Sequence, residues 1–157
     1  MSSQHFIGID LGTVSSCLAY ADEEGNVSIS KNDGGGGLLP SVILFTDEGK
    51  YVGDQAVKMS TQYSVSNSVF FFKRMMGTDY RRTYGGVSYD SSEMSAMLLK
   101  KAMRSFETNT GETADTAVIT VPGDFSDAEK NATVAAARMA GIERLELLNE
   151  SIAAAIS

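Results

Sequence analysis

The residues with the clearest chemical potential lie near the start of the chain, in Phe6 to Cys17 (FIGIDLGTVSSC). Phe6-Ile7-Gly8-Ile9 reads as a short apolar strand ending on Asp10, and Leu11-Gly12-Thr13 turns the chain into a second alternating run at Cys17-Leu18-Ala19-Tyr20. A carboxylate at a strand tip followed by a Gly-Thr turn suits phosphate and its metal. Gly12 has no Cβ, so backbone can approach a ligand closely there. The N–H groups of such a turn, with the Thr13 hydroxyl, can cradle phosphate oxygens. Asp10 can hold Mg²⁺ through water, because that ion keeps most of its hydration shell. An ordinary β-hairpin, with Asp10 and Gly12 as turn formers, accounts for the same residues.

Composition narrows the alternatives. A chain of 157 residues is long enough for one domain, or two small lobes, with a real core. Its 43% hydrophobic and 21% charged residues match a soluble globular protein. The net charge of −7 argues against a nucleic-acid partner, which would need a basic face. No apolar run approaches the ~18 residues that span a bilayer, and MSSQHF lacks the regions of a signal peptide. A single cysteine, Cys17, excludes an internal disulfide. A cytoplasmic location is therefore expected, and the sequons at Asn26, Asn131 and Asn149 carry no weight.

The elements that would position the motif follow in order. Residues 6–10, 15–20 and 27–30 read as an antiparallel meander punctuated by Gly12-Thr13 and by Asp22 to Asn26. Four glycines, Gly34 to Gly37, lack nucleotide-loop spacing and read as a flexible connector. A small α+β insertion separate from the opening sheet is expected over residues 40–90: a strand at Val42–Phe45, a weak helix over 53–65, a buried apolar run at Val69–Phe72 and a polar hairpin over 78–89. By its local pattern the Lys73-Arg74 pair after that run is a solvated element end.

Asp90 to Glu93 forms a capping box opening a helix with Met94, Met97, Leu98, Ala102 and Phe106 on one face. Those methionines read as core filler. Ala117–Val121 reads as a strand covered on both faces. A second box, Ser126 to Glu129, opens an alanine-rich helix ending at Gly141, whose Ala128, Ala132, Ala135, Ala136 and Met139 suit close packing on a sheet. Leu145–Leu148 is a further strand, ended by Asn149-Glu150-Ser151 before a last helical segment from Ile152. Three antiparallel strands, an insertion, then helix–strand alternation is the layout of one lobe of an actin-like (ribonuclease-H-like) ATPase. The expected fold is α/β, with a mixed five-stranded sheet and flanking helices. Residues 1–39 and 91–157 would form the core subdomain and 40–90 the inserted one. Strand tips carrying Asp10, Pro122 and Glu150 would meet at one end of the sheet.

Seven motifs in order resemble the DnaK-type seventy-kilodalton heat-shock chaperones: Gly8–Thr13 with Ser15–Cys17, Leu39–Phe45, Val52–Val57, Phe72–Gly77, Ser91–Lys101, Ala117–Thr133 and Ala140–Ile156. The hairpin after Gly77 resembles the compact bacterial form of the inserted subdomain. The resemblance implies ATP binding and hydrolysis with Mg²⁺, coupled to holding unfolded polypeptide, with a J-domain co-chaperone and a nucleotide exchange factor as partners. No nucleic-acid or membrane partner is expected, on the charge and the absence of long apolar runs noted above. By motif match Asp10 would organise Mg²⁺, and Gly12, Thr13 and Val14 would form the phosphate loop. Lys73 would neutralise charge on the transferred phosphoryl and help position the attacking water, which overrides its reading as a solvated end, and Glu150 would serve that water as an orienting acceptor or as a base. Pro122 and Lys130 would report nucleotide state to the peptide-binding domain. On this resemblance the chain covers a first lobe, with the peptide-binding domain beyond Ser157, and the isolated 157-residue fragment is expected to bind ATP poorly.

The departures are local. Val14 stands where the family has a second threonine, Gly37-Leu38-Leu39 replace Arg-Thr-Thr, Lys130 replaces arginine, and Ser151 replaces a proline, leaving the turn at Glu150 less rigid. They keep open an ATPase-silent scaffold module. Another actin-like ATPase, such as a sugar kinase or filament protein, would share Asp10 to Thr13 but not the regions around Lys73 and Pro122. His5 reads as a surface residue, Cys17 as packed inward, and Asp124 and Asp127 as turn and helix-start acids.

Overall fold

The computed structural model describes residues 6–156, so His5 lies outside the described residues. Alternating burial along β1 (Phe6–Asp10) sends Ile7 and Ile9 into the core and leaves Asp10 on the opposite face. β2 (Ser15–Ala21) returns antiparallel, and β3 (Val27–Ile29) continues the meander. β10 (Thr116–Val121) and β11 (Arg144–Asn149) join on the other side, both parallel. The order is β11-β10-β1-β2-β3, the expected mixed sheet, and a two-residue β4 (Leu39–Pro40) adds to β2. Among the described residues no helix is long and apolar enough to cross a membrane.

One face of this sheet is covered by α2 (Ser91–Thr110), whose capping box forms as expected: Glu93 N donates to Asp90 Oδ1, and Asp90 N donates to the Glu93 carboxylate. Leu98, Leu99, Ala102 and Phe106 of α2 join Ile7, Ile9, Leu18, Ala117 and Ile119 in one cluster. The Tyr20 ring meets Phe106 edge-on at 5.2 Å. Burying each such side chain contributes about 1.5–3 kcal/mol. α3 (Asp127–Met139) is likewise boxed by Ser126 and Glu129. It packs chiefly on α2 rather than on the sheet, through Thr133, Ala136 and Ala137, while Ala128, Ala135 and Met139 stay exposed. β10 also departs from expectation. Only Ala117, Ile119 and Val121 are buried, and alternate residues are half covered, so it has one core face rather than two.

The segment after β4 builds a three-stranded sheet, β6-β5-β7, from β5 (Val42–Thr46), β6 (Gly49–Val52) and β7 (Ser68–Phe70). α1 (Asp54–Ser60) lies against it, and β8 (Arg81–Tyr84) and β9 (Val87–Asp90) form a hairpin. β5 is buried on both faces. Val42 and Leu44 meet Ala56 in a small core, whereas Ile43 and Phe45 enter the main cluster. The sheets are thus separate in hydrogen bonding but share one core. The four-glycine stretch is no loose connector: Gly34 N and Gly36 N both donate to Asn32 Oδ1 at 3.0 Å, and Asn32 N donates to Gly36 O at 2.7 Å.

The expected buried run Val69–Phe72 is only half buried. Val69 and Phe72 are inside, whereas Phe70 and Phe71 are 45% and 48% exposed. β7 alternates its side chains, and Phe71 then takes a left-handed conformation (φ 56°) that turns the chain into a 3₁₀ helix at Phe72–Met75. That turn carries Lys73 inward, to 7% exposure, so the solvated-end reading is overturned. Because Phe106 is fully buried at the centre of the cluster, Phe106→Ala should cost about 3–5 kcal/mol of stability, read as a lower urea midpoint with an unchanged slope.

Candidate functional site

The parallel register determines which residues meet. Asp10 pairs with Thr120, and Val121 with Asn149, so the carboxyl ends of β1, β10 and β11 lie side by side. Ligand crevices of open α/β sheets form at such ends. Here the ends border a cavity of about 510 Å³, walled by Asp10, Gly12, Thr13, Lys73, Thr120, Pro122 and Glu150, with Ala153 and Ala154 of α4 (Glu150–Ala155). Thr120 Oγ1 donates to Asp10 Oδ1 at 3.2 Å, which steadies the carboxylate.

The turn after β1 needs a glycine for a steric reason: a Cβ on Gly12 would sit 1.9 Å from the Ser15 carbonyl oxygen. Its own N–H is not available to a ligand, because it donates inward to Ser16 Oγ at 3.2 Å. Donors toward the cavity must therefore come from Thr13 onward. Val14 is not on the cavity wall; the residue is 67% exposed.

Lys73 arrives from the 3₁₀ helix at Phe72–Met75 and Glu150 from the first turn of α4, and Lys73 Nζ donates to Glu150 Oε1 at 3.3 Å. The Lys73 side chain is 8% exposed and that of Glu150 42%, so the pair joins a buried cation to a carboxylate still reached by water. The Phe125 ring lies 5.7 Å from the ammonium. Glu150 is positioned by its neighbours. Asn149 caps α4 by accepting the Ser151 N–H at 2.8 Å, a bond that a proline at 151 could not make. The expected slackening at Ser151 is thus offset by a cap. Asn149 is held in turn against Gly123, where a Cβ would fall 2.4 Å from Asn149 Nδ2.

Asp10, Gly12, Thr13, Lys73, Pro122 and Glu150 therefore share one cavity, whereas Val14 and Lys130 lie off its wall. Sequence reading missed Thr120, whose only signal is its place beside Pro122 at a strand end, and Ala153 and Ala154, whose small side chains leave room. Among the described residues no three His, Cys, Asp or Glu side chains gather into a metal cage. One carboxylate, bonded by the Thr120 hydroxyl, in a cavity that Thr13 also lines fits Mg²⁺ held mainly by water and phosphate. Cys17 pairs with Asp10 across β1 and β2 and shares its face, rather than packing into the main core. Burial and, secondarily, the Asp10 charge push its thiol above the ordinary range.

A family model described as Hsp70 protein matches residues 6–157. The chain belongs to the Hsp70 family, in the region of its nucleotide-binding domain. The family is one of chaperone ATPases, which generally use ATP or ADP with Mg²⁺.

Two outcomes test the site's geometry. Gly12→Ala should lower stability by about 1–3 kcal/mol through overpacking, read as a drop in Tm, because the new methyl meets fixed backbone. The alkylation rate of Cys17 should rise with a midpoint above the ordinary thiol value of about 8.5. Asp10→Asn should bring that midpoint only partly down, since burial is the larger cause.

Proposed function

We propose that the chain is the first lobe of an ATP-hydrolysing chaperone, binding nucleotide phosphates in the cavity at the strand ends and acting catalytically within the complete protein. What supports this is the single cavity shared by Asp10, Thr13, Lys73 and Glu150, contributed by three separate parts of the chain. In this reading Asp10 holds Mg²⁺ through water, and Thr13 contacts the phosphates. The metal, when bound, neutralises charge on the phosphate oxygens. Lys73 presents a buried, fixed positive charge to the transferred phosphoryl, and Glu150 orients the ammonium and accepts from the attacking water. This division suits phosphoryl transfer, where positioning and electrostatics dominate.

Pro122 borders both this cavity and a neighbouring hollow that reaches Phe125 and Glu129. Lys130 follows on α3, which supports a role for Pro122 and Lys130 in passing nucleotide state outward. Clients would be unfolded polypeptides, with a J-domain co-chaperone and an exchange factor as partners, in the cytoplasm. The ATPase-silent scaffold reading rested on Val14 and Ser151. Against it stand the position of Val14 off the cavity wall and the Asn149 cap, which accepts the Ser151 N–H.

Single-turnover hydrolysis of ATP by the intact protein tests the proposal. Lys73→Ala should abolish turnover, with a loss of at least about a hundredfold, the scale for removing one preorganised electrostatic donor. Turnover unchanged in Lys73→Ala would refute the assignment, and absent turnover in the unaltered protein would favour the scaffold.

A further inference from the structure

Two buried serines bracket the backbone of Gly12. Ser16 and Ser41 are 2% and 3% exposed, and their hydroxyls lie 3.3 Å apart. Ser41 Oγ donates to Gly12 O at 2.8 Å, and Gly12 N donates to Ser16 Oγ at 3.2 Å. Geometry alone leaves the donor of the serine–serine bond open, but proton count decides it. Each hydroxyl has one hydrogen. Ser41 spends its hydrogen on a carbonyl that can only accept, so Ser16 must donate to Ser41. The result is a closed, one-directional ring: Gly12 N–H to Ser16, Ser16 to Ser41, Ser41 to Gly12 C=O. The Ser41 N–H separately donates to Val14 O at 2.9 Å.

The ring has a consequence for the next residue. In a planar trans peptide the C=O and the following N–H point in opposite directions. With Gly12 C=O pinned inward to Ser41, the Thr13 N–H of the same peptide unit points away from the buried serines. Burial strengthens the effect, since hydrogen bonds in a closed, low-dielectric network reinforce one another and an unpaired member is costly.

We propose that Ser41 and Ser16 are positioning residues for phosphate binding. Their hydroxyl ring fixes the Gly12 peptide units so that Thr13 N–H and Oγ1 are presented to the nucleotide, and Ser41 ties that presentation to the strand β5 that it precedes. This rests on the reading of the cavity as a nucleotide-phosphate site.

The test compares ADP with adenosine by calorimetric titration of the intact protein, since the ring bears on phosphates and not on the nucleoside. Ser41→Ala should weaken ADP about fivefold to tenfold, the worth of one hydrogen bond, and leave adenosine affinity unaltered. Ser41→Thr, which keeps the hydroxyl, should restore ADP binding. Ser16→Ala breaks the same ring from the other side and should give the same loss, which also covers the case of a Ser41→Ala protein that does not fold. The double alanine variant should be no worse than the poorer single, because members of one ring are not additive. An unchanged ADP-to-adenosine ratio in both single variants, or equal loss of both ligands, would overturn the positioning role while leaving the cavity assignment intact. An unaltered protein that binds ADP no better than adenosine would instead bring down the functional reading, and this inference with it.

Discussion

The parallel pairing of β1 with β10 is the constraint on which the rest depends. Parallel strands need a long crossover between them, and here that connection carries β2 to β9, α1 and α2. Because the register matches Asp10 with Thr120, the end of β1 carries a carboxylate beside a hydroxyl and, two residues on, Pro122. A slip of one residue would turn Asp10 into the core and Ile9 out of it, so the hydrophobic pattern enforces the same register that builds the site. Core and cavity are two consequences of one alignment.

Residues 40–90 are joined to this frame through Ile43, Phe45, Val69, Phe72 and Met76 in the shared core, and two of these links bear on the site. β5 gives Ile43 and Phe45 to the main core and starts one residue after Ser41, which reaches the Gly12 turn. Farther on, the left-handed Phe71 reverses the chain so that Lys73 enters the cavity. A non-glycine residue in that conformation costs about 1–2 kcal/mol. The Arg74 guanidinium, 5.3 Å from the Phe71 ring centre, and the buried flanking residues Val69 and Phe72 are the observed contacts and anchors that can offset it. Strain next to a buried cation fits a position held for chemistry rather than stability.

Charge is concentrated where structure can hold it. Lys73 is nearly dry, and Glu150 supplies its countercharge. Removing one partner of such a pair leaves a buried charge alone, which costs far more than the pair contributes. By contrast, Arg144 and Asp115 meet at 3.0 Å in the open, where an ion pair adds little. The Arg144 bond nevertheless holds the Asp115 carboxyl below its usual range.

The strands of the main sheet and both long helices were legible in the sequence because their signals are local, whereas β6 was not read as a strand and β7 only as an apolar run. An apolar run marked β1, alternation marked β2, and the Asp90–Glu93 and Ser126–Glu129 boxes marked the starts of α2 and α3 within a residue or so. Asp10, Gly12 and Thr13 were legible too, since a strand tip and a tight turn lie within a few residues of one another. Glu150 was legible as a strand-tip residue, but Lys73 only through family likeness; their meeting spans 77 residues, and no local pattern encodes it. Thr120 had only its place beside Pro122 to mark it, and the exposure of Phe70 and Phe71 and the serine ring around Gly12 were not legible at all. Each depends on which chain segments pack together, and hydrogen-bond partners 25 to 110 residues apart are chosen by the fold, not by neighbours in the chain.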